Sequence, residues 1–248
     1  MSGDKEITGA VLEKVQVVLL AGGLGTRLRP LTDDIPKPMV VIRGKPYLYY
    51  QLLYLKKFGF KDILLLVGYR REKIEEYFKD GTELGLSIKY SVEETPLGTG
   101  GALKNAQNLL ENEFILINGD SFLPVNYTVL FNEFNGRKKK GMIVIYDNNT
   151  KDTGVKNNIS IDDGFNVIKY RKGSADIDLK YVDAGVYMFS KDVLPLIEPD
   201  KTVSIEEEIY PLLIQKKELC AFLTRSRFYD IGTKERLTKF EEIINDYF

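Results

Sequence analysis

Hydrophobic positions in this chain fall into short runs separated by polar, turn-forming stretches. The first run, Val15 to Ala21, has strand length and no regular polar alternation, so it reads as a strand buried on both faces. Pro46 opens a helical stretch through Phe58 that stops at Gly59, and its aromatic residues Tyr47, Tyr49, Tyr50, Tyr54 and Phe58 read as packing. Asp62–Val67 is then a strand, Glu72–Lys79 a helix and Leu86–Val92 a strand. The loop Glu93–Gly101 leads into a helix from Ala102, and Glu113–Asn118 is a fourth strand. Strands alternating with helices in this way predict a parallel sheet built from βαβ units.

The second half is more mixed. Gly141–Asp147, Asn158–Ile161, Val167–Tyr170 and Val182–Phe189 are strand-like, the middle two joined by the turn Asp162-Asp163-Gly164. Ser204-x-x-Glu207 is a capping box opening a helix to Gln215. Glu218–Thr224 and Arg227–Ile231 read as a last strand pair, and Thr233 caps a C-terminal helix. The expected fold is α/β: a Rossmann-like, mixed but mainly parallel sheet flanked by helices. Residues 1–14 read as a polar extension and 15–248 as one domain, with no repeat or linker.

Composition narrows the chemistry. With 35 basic and 36 acidic residues, a net charge of −1 gives no bulk attraction to nucleic acid or to an anionic membrane. The run Arg137-Lys138-Lys139-Lys140 reads as a solvated loop. The absence of histidine removes His-based acid/base catalysis, Ser–His triads and His metal ligands. A single cysteine, Cys220, sits in an apolar run as a core thiol, and its isolation fits a reducing cytoplasm. No stretch is long and apolar enough to span a bilayer, and the start of the chain has no signal-peptide layout. What remains is carboxylates, lysines, arginines, backbone amides or a hard metal ion.

The first strand ends in Gly22-Gly23-Leu24-Gly25-Thr26-Arg27. Glycines let backbone N–H groups approach a ligand, Thr26 adds a hydroxyl, and Arg27 and Arg29 add guanidinium forks suited to phosphate oxygens. Lys37 stands between Pro36 and Pro38, a cation on stiffened backbone. A plain strand-to-loop turn would also use glycine. The dinucleotide fingerprint would need glycine at Leu28, and the P-loop sequence G-K-[ST] is absent. Two arginines and a bracketed lysine favour a phosphate cradle.

The stretch L-A-G-G-L-G-T-R-L-R-P-L-T, followed by P-K-P-M, resembles the signature of the sugar-1-phosphate nucleotidyltransferases, and the likeness extends over residues 15–245. The resemblance implies a glycosyltransferase-A-like nucleotidyltransferase fold without an appended C-terminal β-helix domain. It implies that Leu20, Ala21, Gly22, Gly23, Gly25 and Thr26 line the nucleotide, and that Arg27 and Lys37 stabilise the pentacoordinate phosphorus. It also implies Mg²⁺ as cofactor, held by Asp120 after the fourth strand and by Asp230 in a D-x-G-T segment, with Asp120 counted as catalytic. On the residues alone, each Asp could instead serve a turn or a cap. In E93-E-T-P-L-G-T-G, the residue three before the proline reads the base in this family. Glu93, with Pro96, Gly98 and Thr99, is thus expected to bind the nucleotide, although Glu94 is a second choice. A carboxylate only accepts hydrogen bonds, which suits the adjacent N1–H and N2–H₂ donors of guanine. The nearest likeness is to mannose- and manno-heptose-1-phosphate guanylyltransferases.

The acceptor end matches less well. Gly154, Lys172 and Asp183 occupy the expected substrate positions, but Arg171 replaces a sugar-binding glutamate and Asp183 an asparagine. Both changes alter charge, so an acidic acceptor, or one held differently, stays open. The implied reaction joins an NTP, with GTP favoured, and a sugar-1-phosphate to give NDP-sugar and pyrophosphate, with no protein nucleophile. A homo-oligomer is compatible with it. The alternatives are a uridylyl-, thymidylyl- or cytidylyltransferase of the same fold, a metal-dependent glycosyltransferase and a silent nucleotide-sensing subunit. The glycosyltransferase would show a D-x-D pair, which Asp120-Ser121-Phe122 lacks.

Overall fold

The computed structural model describes residues 12–173 and 176–248. Of the expected extension 1–14, residues 1–11 lie outside the described residues. Leu12 is wholly buried in the core and Glu13 pairs with Lys61 at 2.9 Å, so the end of that stretch belongs to the packed structure.

In chain order the elements are β1 (Gln16–Leu20), the short hairpin β2 (Val41–Ile42) and β3 (Lys45–Pro46), α1 (Tyr47–Lys57), β4 (Asp62–Val67), α2 (Arg71–Phe78) and β5 (Ser87–Val92). Then come α3 (Gly98–Asn105), β6 (Glu113–Asn118), β7 (Ser121–Phe122), α4 (Tyr127–Arg137), β8 (Gly141–Tyr146), β9 (Ile159–Ile161) and β10 (Val167–Tyr170). The chain continues with β11 (Val182–Ser190), α5 (Tyr210–Gln215), β12 (Leu219–Thr224), β13 (Tyr229–Asp230) and α6 (Lys234–Ile243). The main sheet has seven strands in the order β12-β8-β11-β6-β1-β4-β5. All run parallel except β11, which lies antiparallel between β6 and β8.

Burial explains the unbroken apolar strands. Val17, Leu19, Ile63 and Leu65 point to one face, where α1, α2 and α4 cover them. Val18, Leu64 and Leu66 point to the other, beneath α3 and α5. Side chains on both faces leave water, so period-2 alternation has no reason to appear. Cys220 is buried with them, and burial pushes its thiol up to about 11. Among the described residues no helix is long and apolar enough to cross a membrane.

Four expectations change. The helix placed at Ala102 begins four residues earlier, at Gly98. The extended segment around Val203 lies directly on it: Gly100 and Gly101 donate N–H groups to the Val203 carbonyl, and a Cβ at Gly98 would sit 2.6 Å from that oxygen. Tertiary contact thus overrides the poor helix propensity of these glycines. The last two strands do not pair with each other. β12 joins β8 in the main sheet, while β13 pairs antiparallel with β7, Asp230 opposite Ser121. The capping box is displaced by one residue. Ser204 Oγ accepts from the Glu207 N–H, but Glu208 caps the Ser204 N–H, because the turn Ile205–Ile209 is π-widened before α5 begins. Finally, Arg137 is not loop but the end of α4, a helix the apolar pattern had not marked.

A third cluster fixes the C-terminal end. Tyr47 and Tyr54 of α1 meet Phe240 and Phe122 edge-on, at 5.0 and 4.8 Å between centroids. Packing α6 on the aromatic face of α1 holds β13 against β7, one residue from Asp120.

Candidate active site

β1 lies between β4 and β6; the chain passes from β1 to β4 by α1 over one face and returns from β5 to β6 by α3 over the other, so the direction of winding reverses at β1. In open α/β sheets, the carboxyl ends of strands at such a point form the ligand crevice. The loop 22–27 leaves β1 here. Gly25 adopts φ 63°, a left-handed conformation that a side chain would strain, and Thr32 Oγ1 donates to its carbonyl at 2.8 Å. Arg27 stays on the crevice. Arg29 turns away to pair with Asp33 at 3.3 Å and is not part of the cradle.

Asp120 is delivered from β6 by a close crossing. Gly119 donates its N–H to the Leu20 carbonyl at 3.0 Å, and a Cβ there would lie 2.2 Å from that oxygen, so only glycine fits. Gln51 of α1 clamps the turn from below, donating to the Ser121 carbonyl at 2.6 Å. The Lys37 ammonium, held in the short turn Lys37–Met39, donates to Asp120 Oδ2. The two side chains are only 12% and 26% exposed, so the pair sits in a reduced dielectric rather than in bulk water.

These groups line one cavity of about 550 Å³, within the usual range for a small-molecule site. Its wall includes Leu20, Gly22, Gly23, Gly25, Thr26, Arg27, Lys37, Glu93, Pro96, Gly98, Thr99, Asp120 and Lys172 of the residues singled out by sequence. Ala21, Gly154, Asp183 and Asp230 are not in that wall. Ala21 is buried in the core, its N–H on the Leu66 carbonyl at 2.8 Å. Gly154 offers its carbonyl to Arg236 at 2.7 Å, and the same guanidinium holds both carboxylate oxygens of Asp230, at 3.1 and 3.0 Å. The sequence reading missed Leu24, Pro38, Leu66, Ala102, Asn118, Gly119 and Glu206.

Glu93 closes one end. It is half-buried against two glycines: a Cβ on Gly22 would meet its Oε1 at 2.5 Å, and one on Gly68 would meet its Cγ and Oε1 at 2.8 Å. Burial pushes its carboxyl up from the ordinary range, partly offset by the Leu97 N–H, which donates to Oε2 at 3.1 Å. Glu94 faces solvent and pairs with Arg71 at 3.5 Å, outside the cavity wall. Gly68→Ala should push Glu93 off its seat. If Glu93 reads the base as the resemblance implies, the expected outcome is a nucleotide KM raised about 10-fold or more with a small change in thermal stability, checked by steady-state kinetics and melting.

Lys172 stands at the other end, exposed on the turn after β10. Behind it Asp183, at a bulge in β11, accepts from the Gly185 N–H at 2.8 Å, Tyr187 Oη at 2.9 Å and Tyr170 Oη at 3.1 Å. Tyr187 Oη accepts in turn from Asn118 Nδ2 at 3.3 Å. Asp183 therefore braces the floor through Tyr187 instead of facing the cavity. Burial raises its pKa to about 6, against those three donors and with the Glu206 charge adding to the rise. A raised carboxyl binds more protons folded than unfolded, so stability falls as pH rises from about 3.9 to about 6 and stays lowered above that. Asp183→Asn removes this loss. Its melting temperature relative to the parent should be higher at pH 8 than at pH 5, by about 2–4 °C for each kcal/mol in a chain of this size. Equal differences at both pH values would contradict that account.

A hard divalent cation prefers oxygen ligands and is often held by one or two carboxylates plus phosphate oxygens. The Ile231 N–H donates to the Asp120 carbonyl at 3.0 Å, placing Asp120 and the Asp230 strand side by side. Beside them lies the Tyr47 hydroxyl, fully buried and without a hydrogen-bond partner among the described residues, whose pKa is raised by burial first and then by the Asp120 and Asp230 charges. The donor set, two carboxylates on neighbouring segments, would fit such an ion if Asp230, whose two oxygens Arg236 holds, were released toward it. Among the described residues no group of three or more His, Cys, Asp or Glu side chains is placed to hold a metal.

The family model for Nucleotidyl transferase matches residues 16–246. The D-glycero-α-D-manno-heptose 1-phosphate guanylyltransferase of Campylobacter jejuni is 36% identical over 224 residues, 89% of this chain and 96% of that protein. The mannose-1-phosphate guanylyltransferase of Mycobacterium tuberculosis is 32% identical over 90% of this chain, which spans 62% of that longer protein. In structure, HddC from Yersinia pseudotuberculosis, crystallised with GMP-PN, superposes with a TM-score of 0.77 at 33% identity, covering 92% of this chain and 98% of that one. A putative glucose-1-phosphate thymidylyltransferase from Bacillus anthracis shares the fold, with a TM-score of 0.82 at 20% identity, covering 94% of this chain and 96% of that one.

Proposed function

The chain belongs to the nucleotidyl transferase family, and on that premise we propose that it is a guanylyltransferase acting on a manno-configured sugar-1-phosphate, a mannose or manno-heptose 1-phosphate. The observation that carries the reading is one wall on which the glycine loop, Arg27, Lys37 and Asp120 converge. Relatives of 36% and 32% identity that carry guanylyltransferase names support the substrates.

In this reading the N–H groups of residues 22–26 and the Thr26 hydroxyl cradle the triphosphate. Glu93 accepts from the guanine edge, and Lys172 holds the acceptor phosphate. An acceptor phosphate oxygen attacks the α-phosphorus in line, the bond to the bridging oxygen breaks, and pyrophosphate leaves. Arg27 and Lys37 stabilise the charge that develops on the equatorial oxygens, so the rate comes from positioning and electrostatics. Mg²⁺ would be held by Asp120 and Asp230 and would neutralise phosphate charge. The attacking phosphate oxygen is already ionised at neutral pH, so no protein base is needed, in keeping with the absence of His from the sequence. A cytoplasmic setting fits the lone, buried Cys220.

Mixing each of the four NTPs and Mg²⁺ with a panel of sugar-1-phosphates tests the proposal. Pyrophosphate release should be fastest with GTP and a manno-configured acceptor. Release only with UTP or dTTP, or with none of the panel, refutes it.

A further inference from the structure

The cavity contains one acidic side chain with no assigned task. Glu206 projects into it from the widened turn Ile205–Ile209, while Glu207 and Glu208 face solvent. Its Oε2 accepts from Thr99 Oγ1 at 2.7 Å and from Ser204 Oγ at 3.1 Å. Thr99 Oγ1 is itself fixed by the Ile205 N–H at 2.9 Å. Its other oxygen, Oε1, accepts no hydrogen bond, and no cation pairs with the side chain, among the described residues. A carboxylate steadied on one oxygen and left open on the other is a preset acceptor.

Its position assigns the ligand. The turn that carries Glu206 runs directly into α5, whose first residue, Tyr210, packs edge-on against Tyr170 at the end of β10, 5.0 Å between centroids, and lies 6.3 Å from Tyr187 of β11; Lys172 follows two residues after Tyr170, and the Glu206 charge also acts on Asp183. It thus belongs to the acceptor end. Phosphates of the nucleotide would be repelled there, whereas ring hydroxyls donate well to an open carboxylate oxygen.

We propose that Glu206 reads the acceptor, its Oε1 taking hydrogen bonds from ring hydroxyls of a neutral sugar whose phosphate lies on Lys172. The assignment rests on the functional reading above and adds a substrate class: neutral polyhydroxy sugar phosphates are accepted and sugars bearing a ring carboxylate are refused. Glu206 thereby does from a distant turn what the replaced glutamate at position 171 does not.

The test uses GTP, Mg²⁺ and either mannose 1-phosphate or D-glycero-α-D-manno-heptose 1-phosphate, with analogues lacking one ring hydroxyl and with mannuronic acid 1-phosphate. Wild type should lose about 10- to 100-fold in kcat/KM with one deoxy analogue, the usual worth of a hydrogen bond to a charged group. It should not turn over the uronic acid. Glu206→Gln keeps an oxygen for Thr99 but replaces the open acceptor by a donor. It should lower kcat/KM for the parent sugar by a similar factor, change the GTP KM by less than about threefold, and lose discrimination against that analogue. A purely bracing role predicts a raised GTP KM with discrimination intact, and that result, or efficient use of the uronic acid, overturns the assignment alone. No turnover of either parent sugar overturns the functional reading and this one together.

Discussion

Asp120→Asn is expected to lower kcat by about 10³-fold or more, because one substitution disturbs two charge-stabilising groups, each typically worth about 10²–10³. The amide is a poorer ligand for a hard cation. It also turns a donor toward the Lys37 ammonium, which now rests on Asp120 Oδ2. Lys37→Ala should be comparably slow, since it leaves the Asp120 charge unpaired and removes a cation from the phosphates. The double variant should be little worse than the poorer single one, as expected for residues acting as a unit. Chelation of divalent ions should abolish turnover, and added Mg²⁺ or Mn²⁺ should restore it. Steady-state kinetics on folded variants checks all three. Turnover within about tenfold of wild type for Asp120→Asn would remove this carboxylate from the chemistry.

The parts of this site written locally were legible. The phosphate loop follows a strand whose burial shows in its own apolar run, and Gly25, Thr26 and Arg27 need only the end of β1 to be placed. Asp120 likewise comes with its strand and its glycine. What escaped depends on contacts between distant segments. The glycines 98–101 read as loop because the Val203 strap that makes them helical lies about a hundred positions onward. Helix α4 was hidden by its own residues: Tyr127, Thr128, Val129 and Phe131 favour strands, and packing of Tyr127, Leu130 and Phe134 on the sheet decides the matter.

Charge pairing was the other blind spot. Asp183 occupies an expected substrate position, and nothing in its neighbourhood in sequence shows that two tyrosine hydroxyls engage its carboxylate. Asp230 matches a metal-ligand pattern, yet the pattern does not show that Arg236, six residues onward in the first turn of α6, holds both its oxygens. Glu206 sits in a run of three glutamates that looks like a solvated helix face. Its bond to Thr99, more than a hundred positions earlier, is what ties it to the cavity wall, and the run itself does not show that contact.

The second large effect concerns the nucleobase. Glu93 lines the cavity with Leu97 N–H on its Oε2, and its Oε1 accepts no hydrogen bond among the described residues, so the group has acceptor capacity and no donor to give. Guanine answers with N1–H and N2–H₂ side by side; uracil and thymine would turn a carbonyl toward the carboxylate. In a half-buried site that mismatch costs on the order of several kcal/mol, enough for GTP to be preferred by 10²-fold or more. Glu93→Gln keeps the shape between Gly22 and Gly68 but places an amide N–H₂ where the open oxygen stands. GTP use should fall by about 10- to 100-fold, and UTP or dTTP use should rise, because a donor now faces the pyrimidine carbonyl. ITP, which lacks the N2 amino group, should be poorer than GTP with wild type by about 1–3 kcal/mol and closer to it with the variant. Competition assays with paired nucleotides read these ratios directly. Equal use of GTP and ITP by wild type would mean that the guanine amino group finds no acceptor at Glu93, and the base would then be chosen elsewhere in the 93–99 loop.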